Sequence, residues 1–133
     1  EEGSVGANEA NGPDKQEEEE AEEVDTVVGI SINGIAFAHE VAQALDVEVA
    51  IHRNVDGEPG AGALSNKYGQ VGGGKKVVII DDVLSSGVTM SHTIAAIRAS
   101  GGDVALALVL VNKTVRNEVD DVPLRGLIRA VPV

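Results

Sequence analysis

Hydrophobic positions in this chain fall into short continuous runs separated by stretches of helical period. Val77, Val78, Ile79 and Ile80 form a β-branched run between Lys76 and Asp81, the pattern of a strand covered on both faces in a parallel sheet. Residues 25–31 read as a second buried strand, residues 47–51 as a third and residues 104–111 as a fourth, with a last short strand at 123–128. Two helices lie between them. Ile35, Ala38, Ala42 and Leu45 recur at three- and four-residue steps over 35–45, as do Met90, Ile94 and Ile97 over 88–100. Gly101 and Gly102 supply a stop for the second helix. From 53 to 74 the chain turns polar and glycine-rich, which predicts a mobile loop with a small hairpin around 63–71. The order strand, helix, strand, loop, strand, helix, strand predicts an α/β class: a single Rossmann-like domain with a parallel sheet flanked by helices.

Charge changes this picture only at one end. The chain has 133 residues, 22 acids and 10 bases, for a net charge of −12. Residues 1–25 hold eleven of the acids against Lys15 alone, so residues 26–133 carry eleven acids and nine bases, net −2. Residues 1–24 therefore read as an acidic, disordered arm, either a solvating linker or an adaptation that repels nucleic acid or suits high salt. Residues 25–133 read as the folded domain. The absence of cysteine rules out disulfides and thiolate metal sites and suits a cytoplasmic protein. No apolar stretch approaches the roughly 20 residues of a membrane span, and no secretory signal opens the chain. With Phe37 and Tyr68 as its only rings and no basic stripe, this segment is not expected to bind nucleic acid directly. It begins at Glu1 without Met and is small for a complete enzyme, which reads as a piece of a longer protein.

Candidate chemistry concentrates in residues 76–90, KVVIIDDVLSSGVTM. Asp81 and Asp82 stand at the carboxyl end of the central strand, where open α/β sheets bind ligands. Ser85, Ser86, Gly87 and Thr89 then offer hydroxyls and unobstructed amides at the start of a helix, a ready anion site. Carboxylates beside a phosphate cradle repel the phosphate unless they face hydroxyls, so the implied ligand carries both, as ribose 5-phosphate does. Gly29 and Gly34 bracket four residues like a P-loop, but Ile35 and Ala36 stand where its Lys and Ser/Thr are required, which excludes it. A phospho-accepting receiver domain needs its acid pair on the first strand, not a middle one. A purely structural pair would leave two adjacent carboxylates in repulsion. His39, His52 and His92 are too dispersed for a metal site and read as surface or helix-flank residues.

The same run resembles the 5-phosphoribosyl 1-diphosphate (PRPP) motif of the type I phosphoribosyltransferases: four apolar residues, two acids, two apolar residues, then Ser-Ser-Gly. The resemblance implies that fold, over residues 25–133. It implies that Asp81 and Asp82 hold the ribose 2- and 3-hydroxyls and meet Mg²⁺ through ligand or water. Ser85, Ser86, Gly87 and Thr89, with the amides of Val83, Leu84 and Val88, would wrap the 5-phosphate. Residues 29–36, GISINGIA, look like the family's diphosphate loop, which places Ser31, Ile32, Asn33 and Gly34 at the diphosphate. Residues 53–70 stand in place of its catalytic loop, where Arg53 and Lys67 are the cations; both also suit solvated loop charges. The implied activity is transfer of ribose 5-phosphate from PRPP to a nucleobase, orotate or a purine, with release of diphosphate through a cationic ring carbon and no protein nucleophile. The family's base-recognising hood has no counterpart in this sequence.

Residues 62–83, GALSNKYGQVGGGKKVVIIDDV, and 108–128, LVLVNKTVRNEVDDVPLRGLI, look like archaeal orotate phosphoribosyltransferase-like proteins. In these a helix-turn-helix segment precedes a PRPP-binding domain that serves as a transcriptional sensor. That likeness implies an alternative function, PRPP or nucleotide sensing with little or no catalysis, in which nucleic acid is met only through a segment missing from this chain. Relatives are commonly homodimers, so a homodimer is expected. Lys113, just past a core strand, would either approach the base or diphosphate or cap the sheet edge.

Overall fold

The computed structural model describes residues 24–55, 58–65 and 71–131. Its strands are β1 (Thr26–Ile30), β2 (Glu48–Val55), β3 (Glu58–Ser65), β4 (Lys76–Leu84), β5 (Asp103–Asn112), β6 (Glu118–Val119) and β7 (Val122–Arg129), and its helices are α1 (Ser31–Leu45) and α2 (Val88–Ala99). They form a sheet in the order β3-β2-β1-β4-β5-β7-β6. The five inner strands run parallel, while β3 on β2 and β6 on β7 are antiparallel edges. The α/β class and parallel core expected from the sequence are therefore what the chain adopts. Apart from Val24, the acidic arm lies outside the described residues.

Alternation along the central strands divides the core into two layers. Val77 and Ile79 of β4 face α2 with Val28 of β1, against Met90, Ile94 and Ile97. Val78 and Ile80 face α1 with Val27, against Ala38 and Ala42. All four β4 residues are buried, as a strand covered on both sides requires. The α1 layer is thin because its inner face is Gly34, Ala38 and Ala42. Leu45, expected on that face, is instead 39% exposed, since the helix ends there. Asp46 takes a left-handed conformation and sends Val47 N–H back to Ala42 O at 3.0 Å. The glycine stop expected after α2 is a Schellman motif: Gly101 N–H bonds Arg98 O at 3.0 Å and Gly102 N–H bonds Ile97 O at 2.9 Å.

Three sequence expectations are corrected. First, α1 begins at Ser31 rather than residue 35, so most of the expected diphosphate loop is the first helical turn; tight packing of Gly34 on the end of β4 overrides the weak helix propensity of Asn33 and Gly34. Second, the segment after residue 53 is not wholly a loop. β2 runs on to Val55 and pairs with β3, with Arg53 opposite Ala63, so the hairpin lies before the expected 63–71. Its second strand, EPGAGALS, is an edge strand of small residues with no alternation of bulk to reveal it. Third, β4 continues through Asp81 and Asp82 to Leu84, so the acids belong to the strand itself.

Candidate ligand-binding site

β1 leads through α1 to β2 on one side, and β4 leads through α2 to β5 on the other. The joint between β1 and β4 is therefore a topological switch point, with a crevice opening beyond the carboxyl ends of the strands. There the chain forms an open cleft of about 180 Å³ lined by Asp81, Asp82, Val83, Leu84, Ser85, Ser86, Gly87, Thr89 and Met90. Of the expected phosphate-loop residues only Val88 is missing from this lining: its side chain is 42% exposed at the start of α2. Its N–H donates to Ser86 Oγ at 3.3 Å. Gly87 takes φ +85°, which turns the chain from strand into helix where a side chain is disfavoured.

Two of the diphosphate-loop candidates, Asn33 and Gly34, approach the acids of this cleft from α1. Asn33 Nδ2 donates to Asp82 Oδ2 at 3.1 Å, a side-chain bond across the switch point. Gly34 explains the close approach: a Cβ there would lie 2.8 Å from Ile80 O and 3.3 Å from Asp81 Oδ1. Ser31 opens α1, and Ile32 points to solvent at 86% exposure. Arg53 lies on β2 and is exposed, while Lys67 lies outside the described residues.

The two acids are electrostatically unlike. Burial, then the hydrogen bond and charge of Asp82, push the Asp81 carboxyl up to about 7, against a Asp82 N–H bond at 2.8 Å to its Oδ1. For Asp82, burial pulls upward, but hydrogen bonds from Asp81, from Val83 N–H (2.8 Å) and from Asn33 outweigh it and hold that carboxyl below its ordinary value. The pair therefore keeps one proton, mainly on Asp81, toward neutral pH.

Sequence reading missed the polar support behind the loop. His52 is not a surface residue but 1% exposed, because β2 is longer than expected and carries it into the sheet. Thr93 gives its hydroxyl proton to Thr89 O at 2.9 Å, so at 3.2 Å His52 Nδ1 is the donor to Thr93 Oγ1 and the neutral ring carries its proton on Nδ1. Burial, then the charge of His92, lowers the His52 pKa. Buried Asn112 organises residues 112–117: its Oδ1 accepts Thr114 N–H at 2.9 Å and its Nδ2 donates to Arg116 O at 3.0 Å. Lys113 is exposed and its backbone N–H bonds Leu84 O at 2.9 Å.

Paired acids on one strand and a small-residue loop opening the next helix thus meet at the switch point of an α/β sheet. Residues 14–129 match the phosphoribosyl transferase domain family, and the chain belongs to that family. It is 38% identical over 109 residues to the transcriptional regulator GfcR of Methanosphaera stadtmanae, covering 80% of this chain and 54% of that protein. It is 41% identical over 107 residues to the transcriptional regulator GfcR of Thermoplasma acidophilum, covering 80% and 53%. The chain thus spans about half the length of the curated relatives it matches. Its fold resembles the adenine phosphoribosyltransferase of Rhodothermus marinus (TM-score 0.69, 22% identity, 80% of this chain and 70% of that one). It also resembles the orotate phosphoribosyltransferase of Aeropyrum pernix (TM-score 0.66, 23% identity, 83% and 63%).

Proposed function

We propose that this domain binds PRPP with Mg²⁺ and that occupancy is its output, as the sensing part of a transcriptional regulator. The observation that carries the ligand is the single cleft joining Asp81, Asp82 and the Ser85–Thr89 loop at the β1–β4 joint. Ionised Asp82 and its neighbour accept from the ribose hydroxyls, while loop amides and hydroxyls donate to the 5-phosphate. The side-chain donors at the strand end, Asp81, Asp82, Ser85 and Ser86, are all oxygen. That suits Mg²⁺, which keeps its waters and is bound largely through ligand oxygens. What favours a regulatory output is the likeness to proteins named transcriptional regulators, of which this chain spans about half; the DNA contact would belong to the other half. A homodimer and a cytoplasmic setting belong to the same reading.

A second reading, transfer of ribose 5-phosphate to orotate or a purine, is favoured by the family itself. It uses the same site and adds a demand: cations must neutralise the departing diphosphate and a closed loop must exclude water from the cationic carbon. Arg53 on β2 and Lys67 are the residues for that role.

Calorimetric titration of PRPP with Mg²⁺ tests the shared part, with binding expected in the wild type and lost in Asp82→Asn. Absence of binding, or indifference to Asp82→Asn, sinks both readings. Diphosphate release is then assayed with orotate, uracil, hypoxanthine, adenine and guanine. Binding without release supports the sensor, whereas release with any base establishes transfer.

A further inference from the structure

The cleft poses an electrostatic problem that its own walls do not solve. Asp81 and Asp82 line it, and among the described residues its lining includes no Lys or Arg. A phosphate monoester dianion seated on the loop of residues 85–89 would face carboxylate charge, held among the described lining residues by amides, hydroxyls and the α2 terminus.

A cation stands immediately behind that loop. Arg116 Nη1 lies 3.4 Å from Ser86 O, a long contact better described as ion to dipole than as a strong hydrogen bond. The guanidinium occupies the space left by the missing side chain of Gly87: a Cβ there would be 2.6 Å from Nη1. Gly87 is required by its positive φ, and the flexible Arg116 side chain uses the space its missing Cβ leaves.

The placement of Arg116 is built by its neighbours. Its carbonyl accepts from Asn112 Nδ2 and from Arg129 Nη2, each at 3.0 Å, and its N–H donates to Thr114 Oγ1 at 3.0 Å. Asn112, which anchors this turn, is 1% exposed. Arg129 is itself held by Asn117 Oδ1 at 2.6 Å. A segment from the far side of β5 is therefore folded so that a guanidinium meets the Ser86–Gly87 peptide. In a trans peptide the N–H points opposite to the C=O. A cation on the Ser86 carbonyl polarises that peptide and strengthens the Gly87 N–H as a donor on the other side. It also adds positive potential to the loop without occupying the cleft.

We infer that Arg116 is a positioning residue for phosphate binding, acting through the Ser86–Gly87 peptide to let this loop accept a phosphate monoester dianion beside the acid pair. The inference rests on the proposed PRPP site and adds a residue from outside its sequence motif.

The test titrates ribose 5-phosphate into the wild type, Arg116→Gln, Arg116→Lys and Arg116→Ala at two salt concentrations. Arg116→Gln is expected to bind about tenfold more weakly, the scale of one charge-assisted contact, with a shallower dependence of affinity on salt. Arg116→Lys keeps most of the affinity, and millimolar guanidinium restores part of it to Arg116→Ala, which a packing role alone does not explain. Wild-type affinity and salt dependence in Arg116→Gln overturn the inference. Equal losses in Gln and Lys variants without guanidinium rescue also overturn it, by reducing Arg116 to a packing element. A wild type that binds and responds to Asp82→Asn but ignores Arg116 removes this inference alone, whereas a wild type that binds neither PRPP nor ribose 5-phosphate removes the PRPP reading with it.

Discussion

Asp81 carries a carboxyl that the fold holds protonated until about pH 7, against 3.8 in the ordinary state. The folded chain therefore binds more protons than the unfolded one between these values. Its stabilising contribution is complete below the lower value and is lost as pH rises through the upper one. Asp81→Asn keeps the neutral form, so it is expected to raise the thermal midpoint at pH 8, with the gap closing toward pH 4; an unchanged difference across that range would contradict the assignment. His52 has the opposite dependence. Its lowered pKa means the unfolded chain takes up the proton first, so stability falls as pH drops through 6.5. Thr93→Val leaves the His52 Nδ1–H without its acceptor in a site 1% exposed. Denaturant unfolding should show a loss of about 1–3 kcal/mol, the cost of orphaning a buried donor.

Among the elements, α1 is sensitive to a single added atom. A helical Gly→Ala change ordinarily gains up to about 1 kcal/mol, but at Gly34 the added Cβ would lie 2.8 Å from the Ile80 carbonyl. Backbone cannot turn aside as a side chain can, so overpacking wins. Gly34→Ala is expected to cost about 1–3 kcal/mol on thermal unfolding. Bulk and period made the inner elements legible in the sequence: the Val77 to Ile80 run marked β4, the Met90, Ile94 and Ile97 steps marked α2, and its glycine stop was visible two residues past the helix. The lining of the candidate cleft was legible for the same reason, since it comes from one continuous segment. What stayed hidden depends on contacts distant in sequence. β3 has no alternation of bulk and exists because β2 offers it an edge. α1 starts early because Gly34 fits against β4, and His52 is buried because the sheet extends past the apolar run. Arg116 is thirty residues from Ser86, and nothing local announces their meeting.

Across the whole molecule the two sheet edges are unequal. β6 covers only the first residues of β7, pairing Val119 with Val122 and Glu118 with Pro123. Beyond them Leu127 and Ile128 are 69% and 61% exposed. An apolar strand edge of this kind favours pairing with another chain. Leu127→Lys should reduce concentration-dependent association in light scattering while leaving PRPP affinity unchanged, because the ligand cleft lies at the other joint of the sheet. That joint has a consequence of its own. Asn33 belongs to the wing formed by β3, β2, β1 and α1, and Asp82 to the wing formed by β4, α2 and the strands beyond. Their hydrogen bond gives the site a donor of its own: a hydroxyl arriving at Asp82 Oδ2 shares that oxygen with the Asn33 amide or takes its place. On the proposed reading, the concentration at which the domain would fill depends on how that oxygen is shared, and one side chain can act as the dial for its threshold.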